Sequence, residues 1–96
     1  MEGKRLEILE ERTTEGIGGV QVIERRTVDA HALPVDGCRW FSQVWRSVDG
    51  GRTFAFCGTS RDFRTRAEAE AYTLADYDED ARRRRAEAEA LHGRRL

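Results

Sequence analysis

The residues of this chain that could do chemistry are few: Cys38 and Cys57, His31 and His92, Ser42, Ser47 and Ser60. A nucleophile needs a base within hydrogen-bond reach, and the base needs a third group to orient it. No spacing here sets a His/Asp pair beside any of the serines, and neither cysteine has an evident base. A metal site needs several convergent ligands. His31 sits in a connector and His92 far along a polar tail, so His31 reads as an exposed loop histidine. Gly16-Ile17-Gly18-Gly19 has no Lys-Ser/Thr after it and no apolar strand leading into a helix, so it does not read as a phosphate loop. The expectation is a non-enzyme with no catalytic residue, metal or cofactor.

The chemistry that remains is recognition. Arg39, Trp40 and Arg46 lie in one aromatic stretch and Arg52 follows it in a turn. Trp and Arg are the side chains most enriched at binding hot spots. Further on, Asp76, Asp78, Glu79 and Asp80 precede Arg82, Arg83, Arg84 and Arg85. These eight residues, Arg39, Trp40, Arg46, Arg52, Asp76, Asp78, Glu79 and Asp80, are the candidate partner-binding set.

The elements that must position them are legible. Residues 39–48 and 53–57 are rich in aromatic and β-branched side chains and flank Asp49-Gly50-Gly51. That pattern predicts a β-hairpin. A two-residue turn at Asp49-Gly50 pairs Trp45 with Phe54 and Gln43 with Phe56. It places Phe41, Trp45, Phe54 and Phe56 on one face, read as the core under the helix. Trp40, Ser42, Val44, Arg46 and Val48 then take the other face. Trp40 is either covered there by a loop or the first hairpin, or exposed as an anchor.

Thr65-Arg66-Ala67-Glu68 has the form of a capping box and opens a helix whose Ala67, Ala71, Leu74 and Ala75 recur at helical spacing. Past Leu74 the acids stand four residues before the arginines, the favourable orientation for helix ion pairs. The helix is therefore expected to continue, solvated, to about Leu91, with residues 82–96 a helical extension or tail. Upstream, residues 1–11 read as a strand, 13–19 as a turn, 20–28 as a second strand and 29–37 as a connector with a turn at Asp36-Gly37. The fold class is α+β: a small antiparallel sheet of about four strands, in two hairpins, packed on one C-terminal helix.

Ninety-six residues make one domain, residues 1–96, with a modest core. Charged residues are 36% and apolar residues 39%, with no apolar run of membrane-spanning length and no signal-peptide core. The cytosol is the expected compartment. In the chosen register the two cysteines stand on the order of 13 Å apart along the ladder, beyond disulfide reach, and are expected to be reduced. The formal charge is −1, so no global field draws nucleic acid. The six arginines of residues 38–75 stand beside four acids.

The aromatic strand RWFSQVWR, the turn DGGR, a second strand and then Phe63, Thr65, Ala67, Glu68 and Ala69 opening a helix resemble the N-terminal arm-binding domains of phage-type tyrosine recombinases. The likeness covers residues 39–75. It implies a three-stranded sheet on one helix, with the sheet lying in a DNA major groove. The chain departs from that family in its acidic N-terminal hairpin, its negative total charge and the missing recombinase catalytic domain.

Two partner classes follow. In the first, the chain is a protein-binding module, in size and charge like the accessory proteins of phages and mobile elements, anti-CRISPR inhibitors among them. It would block a partner sterically, or offer Asp76, Asp78, Glu79 and Asp80 to the arginine-lined channel of a nucleic-acid-binding complex. In the second, the sheet binds DNA, with Arg39, Arg46 and Arg52 on phosphates or guanine edges. The oligomeric state is open.

Overall fold

A computed structural model describes residues 7–93. Part of the first expected strand, residues 1–6, and the last three residues of the expected tail lie outside the described residues. The elements are β1 (Glu10–Glu15), β2 (Gln21–Val35), β3 (Cys38–Ser47), β4 (Ala55–Thr59), α1 (Arg66–Ala71) and α2 (Leu74–Gly93). The strands form one antiparallel sheet in the order β1-β2-β3-β4. The α+β class and the two-hairpin sheet are as the sequence predicts.

Three local predictions are corrected. Residues 29–35 are not a connector but the far end of β2, which pairs with β3 from Ile23↔Ser47 to Ala30↔Trp40 and again at Val35↔Cys38. The tight turn is Asp36-Gly37, where both residues have positive φ, 50° and 77°. A type I′ turn requires that pair of angles. At Asp49 the tight turn does not form. Ser47 Oγ accepts from Gly51 N at 2.9 Å, while Asp49 takes Thr53 N at 3.0 Å and the Thr53 hydroxyl at 2.6 Å. These bonds, the Thr53 hydroxyl first, pull the Asp49 carboxyl down to about 2. The loop is therefore wider, with Gly50 and Gly51 carrying the positive φ.

The wider loop moves the register by two. Trp45 faces Phe56, and a bulge then sets Val44 against Gly58 and Gln43 against Thr59. A shift of two preserves parity. The aromatics therefore still share a face.

The third correction concerns the helix. It is broken: α1 ends at Ala71, Tyr72 is extended (φ −69°, ψ 130°), and α2 restarts. The Thr65 box forms, with Glu68 N on Thr65 Oγ1 and Thr65 N on Glu68 Oε1, both at 3.1 Å. A second box starts α2: Thr73 N donates to Asp76 Oδ2 at 2.9 Å and Asp76 N to Thr73 Oγ1 at 3.1 Å. The break changes the helical phase. Ala69, Tyr72 and Leu74 are buried, whereas Ala67, Ala71 and Ala75 are exposed.

The helices cover the opposite face of the sheet from the one expected. Ser42 Oγ donates to the Ala69 carbonyl at 2.6 Å, and the buried Arg26 donates to the Ala69 and Glu70 carbonyls at 3.3 and 3.0 Å. Those carbonyls end α1, where a cation is favoured. Val44 lies on this face with Ala69, Tyr72 and Leu74, the buried apolar side chains among the described residues. The rest of the layer is ionic. Glu24, 4% exposed, accepts from Arg12 Nε at 2.9 Å and from Arg46 at 3.0 Å, and Arg12 Nη1 reaches Asp78 of α2 at 2.8 Å. Asp78 is held below the usual carboxylate range by Arg12. No buried side-chain polar atom among the described residues lacks a partner. Paired this way, the charges are tolerable inside.

Candidate docking face

With the helices on the Ser42–Val44 side, strand alternation puts Phe41, Gln43 and Trp45 on the other side of β3. Cross-strand pairing adds Asp29, Thr27, Arg25 and Ile23 from β2 and Phe56 from β4. Among the described residues no helix covers this face.

Its groups are ordered by contacts within the sheet. Trp45 and Phe56 meet edge to face with centroids 5.3 Å apart. The Trp45 indole N–H donates to Thr27 Oγ1 at 3.0 Å, and Thr27 in turn donates to Gln43 Oε1 at 3.1 Å. The Arg25 guanidinium lies 4.4 Å from the centre of the Phe54 ring and donates to Glu11 Oε1 at 2.7 Å. Ile8, Arg25, Thr27, Trp45 and Phe54 line a shallow hollow of about 310 Å3. Beside it Phe56 stands 55% exposed, and Ile8 is 47% exposed. At the far end Phe41 stacks on His31 with centroids 4.6 Å apart, and His31 Nε2 is 2.7 Å from Asp62 Oδ1. His31 is thus a half-buried strand residue, not the exposed loop histidine expected.

The aromatics, expected as the core under the helix, lie instead on the uncovered face, with Phe41, Trp45 and Phe54 half-buried and Phe56 exposed. The physical reason lies in the facing layers. A carbonyl of α1 approaches Ser42, and an added Cβ at Gly58 would run into the Tyr77 hydroxyl. The small residues Ser42 and Gly58 let the helices come close at those two positions; Phe or Trp there would hold them off.

The residues proposed from sequence do not form one site. Arg46 is drawn into the Glu24 pair on the helix side, which raises its pKa. Trp40 is half-buried under the start of α1, its strand bonded to Phe63 and its ring 5.8 Å from the Arg66 guanidinium. Arg39 is exposed, two residues before Phe41, and Arg52 is exposed in the β3–β4 loop. Asp76 caps α2, Asp78 binds Arg12, and Asp80 accepts the Tyr72 hydroxyl at 2.7 Å. Burial first, and then Asp80, raises the Tyr72 pKa. Glu79 stays exposed with Arg82 at 3.6 Å. The residues of the uncovered face that the sequence reading does not offer as a site are Trp45, Phe54 and Phe56. The signal that could have found them is the run of small residues Ser42, Ala69 and Gly58 on the side the helix takes.

Cys38 and Cys57 are free and half-buried. Among the described residues no group of three or more His, Cys, Asp or Glu side chains could hold a metal ion, and no helix is long and apolar enough to cross a membrane. In comparison with known proteins, no family model matches this chain, and neither a curated protein nor a solved structure is similar to it.

Proposed function

We propose that this chain is a non-enzymatic binding module whose open sheet face docks a protein surface. The observation that carries the reading is the placement of Phe41, Trp45, Phe54 and Phe56 on the face the helices leave uncovered, with Trp45 and Phe54 lining a hollow and Phe56 standing free beside it. A desolvated aromatic centre with a rim of mixed charge is the anatomy of a protein interface. The chemistry of the partner follows: an apolar patch, with both signs of charge around it to meet Arg25–Glu11, Asp29 and Arg39. Steric blocking of whatever that patch otherwise binds is the mechanism such a module offers.

DNA binding through the same face has less in its favour. Affinity for nucleic acid rests on phosphate neutralisation. On this face Arg25 is already paired with Glu11, and Arg46 points to the helix side in its pair with Glu24.

The test is a photo-crosslinking residue placed at Phe56 in the chain expressed in its source cells. The expected result is a protein adduct that Trp45→Ala weakens by about 2 kcal/mol or more, hot-spot strength. Tight duplex or single-strand binding at physiological salt, weakening steeply as salt rises and unaffected by Trp45→Ala, would overturn the reading.

A further inference from the structure

Resting on that reading of the face, we infer that the protein surface it meets in the isolated molecule is a second copy of itself, packed sheet against sheet.

Four observations converge on this occupant. First, among the described residues this face holds apolar groups that the fold only half-buries, Phe41, Trp45 and Phe54, or leaves exposed. The buried apolar set of the described residues is Val44, Ala69, Tyr72 and Leu74, while Phe56 and Ile8 are exposed. A domain this small gains stability by covering such groups, and oligomerisation is one established way to do so.

Second, the area is of the right order. The central strands pair without interruption from Ile23↔Ser47 to Ala30↔Trp40, about 24 Å at strand rise, and β1 and β4, of six and five residues, flank them. Taken strand by strand that is about 400 Å2 in projection per copy, so about 800 Å2 over two. Side-chain relief raises the buried area above its projection, toward the roughly 1,000 Å2 of a specific interface.

Third, the surface is self-complementary. A twofold contact presents the same patch to itself, so the patch must contain both a projection and a recess. Phe56 projects, and the hollow lined by Ile8, Arg25, Thr27, Trp45 and Phe54 lies beside it.

Fourth, charge does not oppose the pairing. The rim carries Glu11 and Asp29 together with Arg25 and Arg39, and the chain's net charge is −1. Two copies therefore meet without a strong repulsive field. Two sheets packed this way sit about 10 Å apart, at about 30° to one another.

Sedimentation equilibrium of the full chain tests the inference. The expected result is a species of twice the 11.0 kDa chain mass, dissociating on dilution. Phe56→Glu sets a carboxylate in each copy against the apolar face of the other. It should raise the dimer Kd by at least about 30-fold, the size of a hot-spot loss. Arg85→Glu, exposed on α2 and away from the face, should leave the Kd unchanged. Amide exchange of the wild-type chain needs no substitution: β4 and the centre of β2 should gain protection on concentration.

Two results would overturn the inference: a wild-type chain that stays at monomer mass up to hundreds of micromolar, or a dimer that Phe56→Glu leaves intact. A monomer that still crosslinks a different protein from position 56 refutes self-association alone. A monomer that crosslinks nothing there defeats the docking reading as well.

Discussion

Replacing Glu24 by Gln keeps the volume of the side chain and removes the one carboxylate that Arg12 and Arg46 share inside the molecule. Arg12 reaches Glu24 at 2.6 Å and Arg46 reaches it at 3.0 Å. Arg12 also binds Asp78, so Glu24 indirectly ties α2 to the sheet. Breaking a buried pair by removing one partner costs about 3–5 kcal/mol, because the other charge is left uncompensated. The two arginine side chains are 31% and 46% exposed and retain access to water, which places the loss near the lower end, about 3 kcal/mol. A chain of this length has a total stability of roughly 5–14 kcal/mol. The loss is therefore a large share, and the midpoint should fall by roughly 12–24 °C. Thermal and urea unfolding followed by far-UV circular dichroism measures it. Glu79→Gln, whose carboxylate is 58% exposed beside Arg82, is the control and should change stability by less than about 0.5 kcal/mol. A Glu24→Gln loss below about 1 kcal/mol would refute the claim that this ionic layer joins helix to sheet.

Other consequences are open to measurement. Gly58→Ala should cost about 1–3 kcal/mol in urea unfolding, because the new Cβ meets Tyr77; adding Tyr77→Phe should recover most of it. On the acid side, Asp78 is held below its ordinary value by Arg12, so its contribution is complete above about pH 4 and is lost as pH falls through the lowered value. On the alkaline side, burial and Asp80 raise the Tyr72 pKa, so stability should hold below about pH 10 and decline as pH rises beyond it, when only the unfolded chain ionises that phenol readily. A pH series of melting temperatures shows both limbs; a flat profile across them would contradict the two pairings. Deleting residues 82–96 should leave the circular dichroism of the sheet and its midpoint nearly unchanged, since residues 82–93 are exposed throughout; an unfolded product would show that the segment packs elsewhere.

Much of the fold is legible in local signals. Thr65 to Glu68 announces a helix start because its side chains satisfy the first free amides. The alternation of Phe41 and Trp45 with Ser42 and Val44 states which side chains travel together. It does not state which set the helix covers. That choice is made by tertiary fit, through Ser42, Ala69 and Gly58, and a preference for burying aromatics selects the wrong side. The register is not legible in the sequence because Asp-Gly suits a tight turn at both Asp36 and Asp49. At Asp49 the competing bonds from Ser47 and Thr53 draw the chain into a longer loop, while at Asp36 no such competitor stands nearby and the tight turn forms. The break at Tyr72 rests on the Thr73–Asp76 cap, which sits inside a stretch that otherwise continues the helical pattern. The pairing of Arg46 with Glu24 and of Asp78 with Arg12 is likewise not legible in the sequence. A charge that is paired across the sheet is indistinguishable, in one dimension, from a charge offered to a partner.

Hydroxyl-radical footprinting of side chains tests the central claim most directly, because it reads the solvent access of Trp45, Phe54 and Phe56 separately from that of Val44 and Leu74. In the dilute chain the account predicts reactive Trp45, Phe54 and Phe56 beside protected Val44 and Leu74. It predicts selective protection of the three aromatics once the face is occupied. Aromatics protected at every dilution, or reactive in the occupied complex, would contradict it.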